Sequence, residues 1–265
     1  MKPPQYNQEW SAELHALYRH DMQEIWDRSL APHVWNQYHN QLSTYLAFAA
    51  PTPQDILDVG CAQGTLALLL AEGGHRVTAV DLRPEFLAYA KSRHTHGDIR
   101  WVTANVLEDE ISGTYDLIFA NQIVEHLVYP DRLLSQLKRV LRPGGRIVVT
   151  TPNYDYVKND LPSYSQLGDP ASWEHLQFTA DGDGHFYAYT SEELTRIFDA
   201  AGLSSVRHEF FESPLISGHM KLRHLHPIMP SKLLRVLDRL VVSMPYFGRR
   251  ATHQLLVTGV MAGTP

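Results

Sequence analysis

The 265-residue sequence predicts an α/β protein built on a mostly parallel sheet covered by helices. Three observations carry this expectation. From residue 55 onward short apolar runs alternate with helix-periodic ones, the pattern of strands buried on both faces. A glycine-punctuated turn, Gly60-Cys61-Ala62-Gln63-Gly64, joins the first apolar run to a helix. An acid, Asp81, closes the second run.

Taken in order, the first 50 residues read as helical and partly amphipathic. "EWSAELHALYRHDMQEIWDRSL" and "HVWNQYHNQLSTYLAFAA" bring Trp, Leu, Tyr and Phe round at three- and four-residue spacing. Strands are expected at "DILDVG" (55–60), "RVTAVD" (76–81), "IRWVTAN" (99–105), "YDLIFAN" (115–121) and "GRIVVTT" (145–151). Between them helices are expected over "TLALLLAEG", "PEFLAYAKSRH", a short piece near "VEHLVY", and "PDRLLSQLKRVLRPGG". The last of these is expected to stop at Arg142-Pro143-Gly144-Gly145, where a breaker meets a turn. Residues 152–189 are rich in Pro, Gly, Asp and aromatics with little periodicity, which marks a functional loop or lid rather than idle chain. A helix resumes at "TSEELTRIFDAAGL", with Thr190 and Glu193 as a capping box and Gly202 as its stop. "SSVRHEFFES" and "THQLLVTGVMA" read as the two closing strands, separated by a second insertion with a helix at "SKLLRVLDRLVVSM".

Composition narrows the function classes. With 44% hydrophobic and 20% charged residues, the chain is globular rather than disordered. A net charge of -6 disfavours a nucleic-acid backbone as the partner. Cys61 is the single cysteine, so no internal disulfide framework exists and a reducing compartment, the cytoplasm, is expected. Neither a signal-peptide run nor an 18-residue apolar span is found.

The turn and the acid together describe a nucleoside-containing ligand. Backbone amides at the helix start can face it closely, and a carboxylate at the end of the second strand can accept both ribose hydroxyls. Dinucleotide binding asks for G-x-G-x-x-G, which this spacing misses, and Asp58 would place a carboxylate beside an anionic pyrophosphate. A P-loop would need Gly-Lys-Ser/Thr, which does not follow. An acid at Asp58 suits a cofactor that carries positive charge.

At this point the motifs "ILDVGCAQGTLALLLAEGGHRVTAVD", "YDLIFANQIVEHL" and "LLSQLKRVLRPGGRIVVTTPN", with "YAYTSEELTRIFDAAGLSSVRHEF" after the loop, resemble in order those of class I S-adenosylmethionine-dependent methyltransferases. The nearest branch in appearance holds the ubiquinone-biosynthesis O-methyltransferases and related small-molecule and sugar enzymes. The resemblance implies a Rossmann-like, seven-stranded, mostly parallel α/β sheet with an antiparallel last strand. To this the sequence adds an N-terminal helical cap (1–50) and substrate-side insertions at about 152–189 and 213–250, the second of which departs from the compact form of the family. It implies S-adenosyl-L-methionine as cofactor, with Asp58, Gly60, Cys61, Ala62 and Gly64 around the methionine part, Asp81 on the ribose, and Leu82 against the adenine. Asn105 and Val106 fall at the adenine edge, where Asn stands for the family's usual Asp, and Asn121 holds the methionine end. Ala62 replaces a frequent glycine, which is tolerable if its torsion is ordinary.

The expected reaction is methyl transfer to oxygen of a small molecule, a sugar or an aromatic natural-product intermediate. An oxygen acceptor must lose a proton, so a base is sought. His126, just past the fourth strand, is the first candidate; packing as a scaffold residue is its competing role. Glu125 is expected to be solvated or to fix a neighbour. His185 and His175 in the long insertion are further candidates, in an aromatic acceptor pocket with Trp173, Phe178, Phe186 and Tyr187. A small-molecule amine acceptor and a non-catalytic, cofactor-binding regulatory protein are the alternatives. His219, His224 and His226 lack a zinc pattern, so no metal site is assigned. The basic and apolar "KLLRVLDRLVVSMPYFGRR" suits weak contact with a membrane surface or a partner subunit, and Val241, Val242, Met244, Tyr246 and Phe247 suit a core equally well. A monomer or homodimer is expected.

Overall fold

The structure, a computed structural model, describes residues 1–177 and 187–263. In chain order its main elements are α1 (Ala12–Asp21), α2 (Pro32–Leu46), β1 (Asp55–Val59), α3 (Thr65–Glu72), β2 (Arg76–Asp81), α4 (Pro84–Arg93), β3 (Asp98–Thr103) and β4 (Tyr115–Asn121). There follow α5 (Pro130–Arg139), β5 (Leu141–Pro152), α6 (Ser191–Ala200), β6 (Ser204–Phe211), α7 (Pro214–Ser217), α8 (Ser231–Val242), α9 (Phe247–Ala251) and β7 (Gln254–Val260). The strands form one seven-stranded sheet of order β3-β2-β1-β4-β5-β7-β6. β7 runs antiparallel to both β5 and β6, while β1, β2 and β3 pair in parallel, as do β4 and β5. This is the expected Rossmann-like sheet.

The chain divides into two compact units, residues 1–105 with 212–240, and residues 106–211 with 241–265. In the first, β1 and β2 are buried along almost their whole length, the continuous apolar burial that helices on both faces impose. Ser11 caps α1 by accepting from the Leu14 N–H, and Pro32 opens α2 with its φ already set for a helix. The first 50 residues are largely helical, as expected, with α1 giving way to a π-helical turn over Met22–Trp26 before α2.

In the second unit, α6 begins with the expected capping box, Thr190 with Glu193. The expected stop of α5 is displaced. The helix ends at Arg139 and β5 already starts at Leu141, so Arg142 to Gly145 belong to the strand, with a register shift between Tyr115 and Leu117 opposite. A bulge accommodates the Pro-Gly-Gly there without a separate turn. Most of residues 152–177 is irregular, with short 3-10 turns at Tyr164–Gln166 and Pro170–Leu176 and two bridges, Asn153 to Tyr189 and Ser163 to Ala188. Met244, Tyr246 and Phe247 are exposed rather than core. No helix among the described residues is long and apolar enough to cross a membrane.

Candidate functional site

The glycine turn is built by β1 handing the chain to α3. Gly60 and Gly64 take φ of 66° and 74°, left-handed values that glycine adopts freely. The amides of Gly60 and Cys61 both donate to the Val80 carbonyl at 2.8 and 3.0 Å, which ties the turn to β2. A Cβ on Gly64 would lie 2.7 Å from that of Ala90, so glycine is also required for the turn to approach α4. Asp81 holds the turn from below. Its Oδ2 accepts from the Ala62 N–H at 2.9 Å, and its Oδ1 from the Arg83 N–H at 3.0 Å. The Arg83 Nε reaches Oδ1 as well, at 3.4 Å. Since a carboxylate has about four acceptor positions, one remains free for a ligand hydroxyl, and a second if that long contact is exchanged.

Ala62 does not meet the condition set for it. Its φ is 45°, so a residue with a Cβ stands in the left-handed region at a cost of about 1–2 kcal/mol. The methyl gains compensation by packing on Leu14, Leu17, Phe86 and Tyr89. Asp58 is buried, and its carboxyl is pushed up to about 7, first by that burial and then by Asp81. Burial and the same two acids raise the Cys61 thiol, which keeps it protonated and unsuited to nucleophilic work. Leu82, next to Asp81, is 43% exposed and offers an apolar face. Asn105 is half-buried just beyond β3.

The N-terminal helices are wired to this turn, which sequence reasoning missed. Gln63 donates from Nε2 to Glu24 Oε2 at 2.7 Å and to Tyr38 Oη at 3.1 Å. Burial, then Asp21, holds the Glu24 carboxyl up at about 8. Below it, fully buried Arg93 donates to the Gln63 carbonyl at 2.5 Å and to Thr65 Oγ1 at 3.1 Å, and pairs with buried Asp21 at 2.8 Å. Tyr89 Oη completes the set by donating to Asp21 at 2.7 Å. The π-helical turn carries Glu24, and such turns recur at functional sites. Glu24 and Asp21 look like surface helix acids in the sequence; no periodicity distinguishes them.

In the second unit Val106 is buried, and Asn121 ends β4 with its Oδ1 accepting from Thr150 Oγ1 at 3.1 Å. Gln122 follows with φ of 52°, a strained non-glycine torsion immediately after the strand. His126 is half-buried in the 3-10 turn Val124–His126. Two buried tyrosines clamp that turn. Tyr187 Oη bonds the carbonyls of Val124 and Leu127, and Tyr189 Oη donates to Val124 at 3.2 Å. Tyr187 is thus a structural clamp and not the lining of an acceptor pocket, because it is fully buried. Glu125 is not solvated. It is fully buried, accepts from Thr151 Oγ1 at 3.1 Å, leaves Oε1 without a hydrogen-bond partner, and has its carboxyl pushed up to about 8 by burial. His175 stands exposed on the Pro170–Leu176 turn. His185, with Phe178 and Phe186, lies outside the described residues. Among the described residues no cluster of His, Cys, Asp and Glu could hold a metal.

Residues 18–208 match a family model described as a methyltransferase domain. The chain belongs to the class I S-adenosylmethionine-dependent methyltransferases. Similar methyltransferases include the ubiquinone biosynthesis O-methyltransferase of Idiomarina loihiensis, 30% identical over 57% of this chain and 62% of that one. The malonyl-[acyl-carrier protein] O-methyltransferase of Hahella chejuensis is 35% identical over 63% of this chain and 56% of that one. The matching segment therefore spans less than two thirds of either curated relative. Among solved structures, an S-adenosylmethionine-dependent methyltransferase from Archaeoglobus fulgidus superposes with a TM-score of 0.55 over 92% of this chain and 98% of that one, at 19% identity. The magnesium protoporphyrin IX methyltransferase of Synechocystis, solved with S-adenosylhomocysteine, gives 0.52 at 12% identity over 97% and 90%. At such identity these two methyltransferases share the fold with this chain.

Proposed function

We propose that this methyltransferase transfers a methyl group to an oxygen of a small molecule, a sugar or an aromatic intermediate. The observation that carries the cofactor half is the pair of buried acids, Asp58 and Asp81, at a glycine turn. Burying two carboxylates together is costly, and Asp58 stays partly protonated at neutral pH for that reason. A cation placed there relieves the cost, which suits the sulfonium and ammonium of S-adenosylmethionine and opposes a pyrophosphate. Asp58 with the backbone of residues 60–64 would hold the methionine part, Asp81 the ribose, and Leu82 and Asn105 the adenine. Val106 and Asn121 are proposed to complete the adenine and methionine ends. When bound, the cofactor supplies an activated methyl group on a good leaving group, so the protein's task is alignment, exclusion of water and management of one proton.

For that proton His126 is the proposed base, because hydroxyls of two buried tyrosines fix the carbonyls on either side of it. His175 and His185 are proposed to contact the acceptor. The oxygen acceptor draws support from the two curated relatives, both named O-methyltransferases. Calorimetric titration with S-adenosylmethionine and, separately, NAD tests the cofactor; binding of NAD alone would overturn it. His126→Gln should then lower kcat by about 10²-fold or more, the usual worth of a general base, while cofactor affinity changes less than about twofold. Unchanged turnover would return His126 to the scaffold and favour an amine acceptor, which needs no base.

A further inference from the structure

The segment after β6 builds a second concave site within the first unit. A cavity of about 430 Å³ lies between α2 and residues 217–223, with His33 and Gln37 on one side and Ser217, His219, Lys221 and Arg223 on the other. None of the residues lining it is acidic, although the whole chain carries a charge of -6. We propose that this cavity binds the phosphate group of an anionic ligand, through His33, His219, Lys221 and Arg223.

The backbone assembles these two cations and two imidazoles at some expense. Gly218 has a φ of 72°, and a Cβ there would lie 3.0 Å from the His33 side chain and 3.1 Å from Arg223 Cβ, so only glycine lets the two approach from different elements. Met220 and Lys221 follow with φ of 55° and 67°, two consecutive non-glycine residues in the left-handed region. Strain of this kind is concentrated at ligand clamps. Its local product is to set Lys221 on the same cavity as Arg223. The charges also oppose one another: burial, then Arg223 and His219, push the His33 imidazole down. A phosphate dianion reverses that repulsion, accepts from up to four donors at once, and suits the planar fork of Arg223. A carboxylate offers one fewer oxygen and less charge.

The phosphate could belong to a soluble phosphomonoester or to a lipid headgroup, and the experiment separates the two. α8, in its part up to Leu240, exposes Leu233, Val236 and Leu240 on one face with Lys232 and Arg239 also exposed, a pattern that rests on bilayer surfaces. The intact protein is titrated with inorganic phosphate at low salt while the histidine ring signals are followed by NMR. It is also sedimented with phosphatidylcholine vesicles, with and without phosphatidic acid. Saturable phosphate binding that shifts the rings of His33 and His219, and that weakens at least tenfold in K221Q/R223Q, is expected. Cosedimentation with phosphatidic acid vesicles that the same double substitution abolishes assigns the lipid source; phosphate binding without cosedimentation assigns the soluble one. The proposal fails if wild type binds neither, or if vesicle binding survives K221Q/R223Q and is lost only in L233S/V236S. Both exchanged cations are exposed, and S-adenosylmethionine affinity, expected unchanged in K221Q/R223Q, reports that the unit is folded and tests the cofactor reading separately.

Discussion

Ala62 and Glu125 show how single side chains in this molecule trade stability for position. At Ala62, glycine would relieve about 1–2 kcal/mol of left-handed strain but lose methyl packing worth up to about 0.8 kcal/mol and pay about 0.5–1 kcal/mol in unfolded-chain entropy. Ala62→Gly should therefore change unfolding free energy by less than about 1 kcal/mol, whereas Ala62→Val, β-branched at positive φ, should cost about 2 kcal/mol or more, both read from urea midpoints. Glu125 has a folded pKa raised from 4.5 to about 8. Its contribution to stability is complete below about 4.5 and is lost as pH rises toward about 8, since the unfolded chain ionises first. Relative to Glu125→Gln, wild type should thus lose stability steadily between pH 5 and 8. Parallel midpoints across that range would show that the carboxyl is not buried as described.

Between elements, the most consequential joint is that of the π-helical turn with the glycine turn. Arg93 on α4 reaches the Gln63 carbonyl and Thr65 while pairing with Asp21 at the end of α1. Removing one partner of a buried ion pair strands the other charge, typically at about 3–5 kcal/mol. Asp21→Asn should lower stability by about that amount and also weaken S-adenosylmethionine binding, because Arg93 holds the backbone of the turn. Loss of stability with unaltered affinity would mean that the turn keeps its shape without this joint. The elements were well marked in the sequence where one period or one cap decided them, as at β1, β2 and the Thr190 capping box. The stop of α5 was misplaced because Pro143-Gly144-Gly145 reads locally as a turn. Pairing of β5 with its neighbours absorbs that stretch into the strand through a bulge.

For the molecule as a whole, ligand binding to the folded state alone raises the melting temperature by mass action. S-adenosylmethionine at 100 times its Kd should add about 2.7 kcal/mol, and NAD at the same concentration nothing. Because a bound cation favours the ionised form of Asp58, whose carboxyl sits at about 7, the affinity should rise as pH increases through that value. A cofactor-induced shift that is flat from pH 6 to 8 would remove Asp58 from the cationic end of the ligand.

What the sequence by itself determined is the parallel α/β core, the glycine turn and the acid after β2. Each is written in contiguous residues, through burial on two faces, a torsion only glycine adopts easily, and a strand-end position. Only the tertiary structure decided what touches those residues. The coupling of Glu24, Tyr38 and Arg93 to Gln63, the burial of Glu125, the tyrosine clamp on the His126 turn and the gathering of His33 with Lys221 and Arg223 all join positions far apart along the chain. A carboxyl or imidazole looks the same in sequence whether it ends in water or in a core. Its ionisation, and with it its chemistry, is set by neighbours that long-range packing alone brings together.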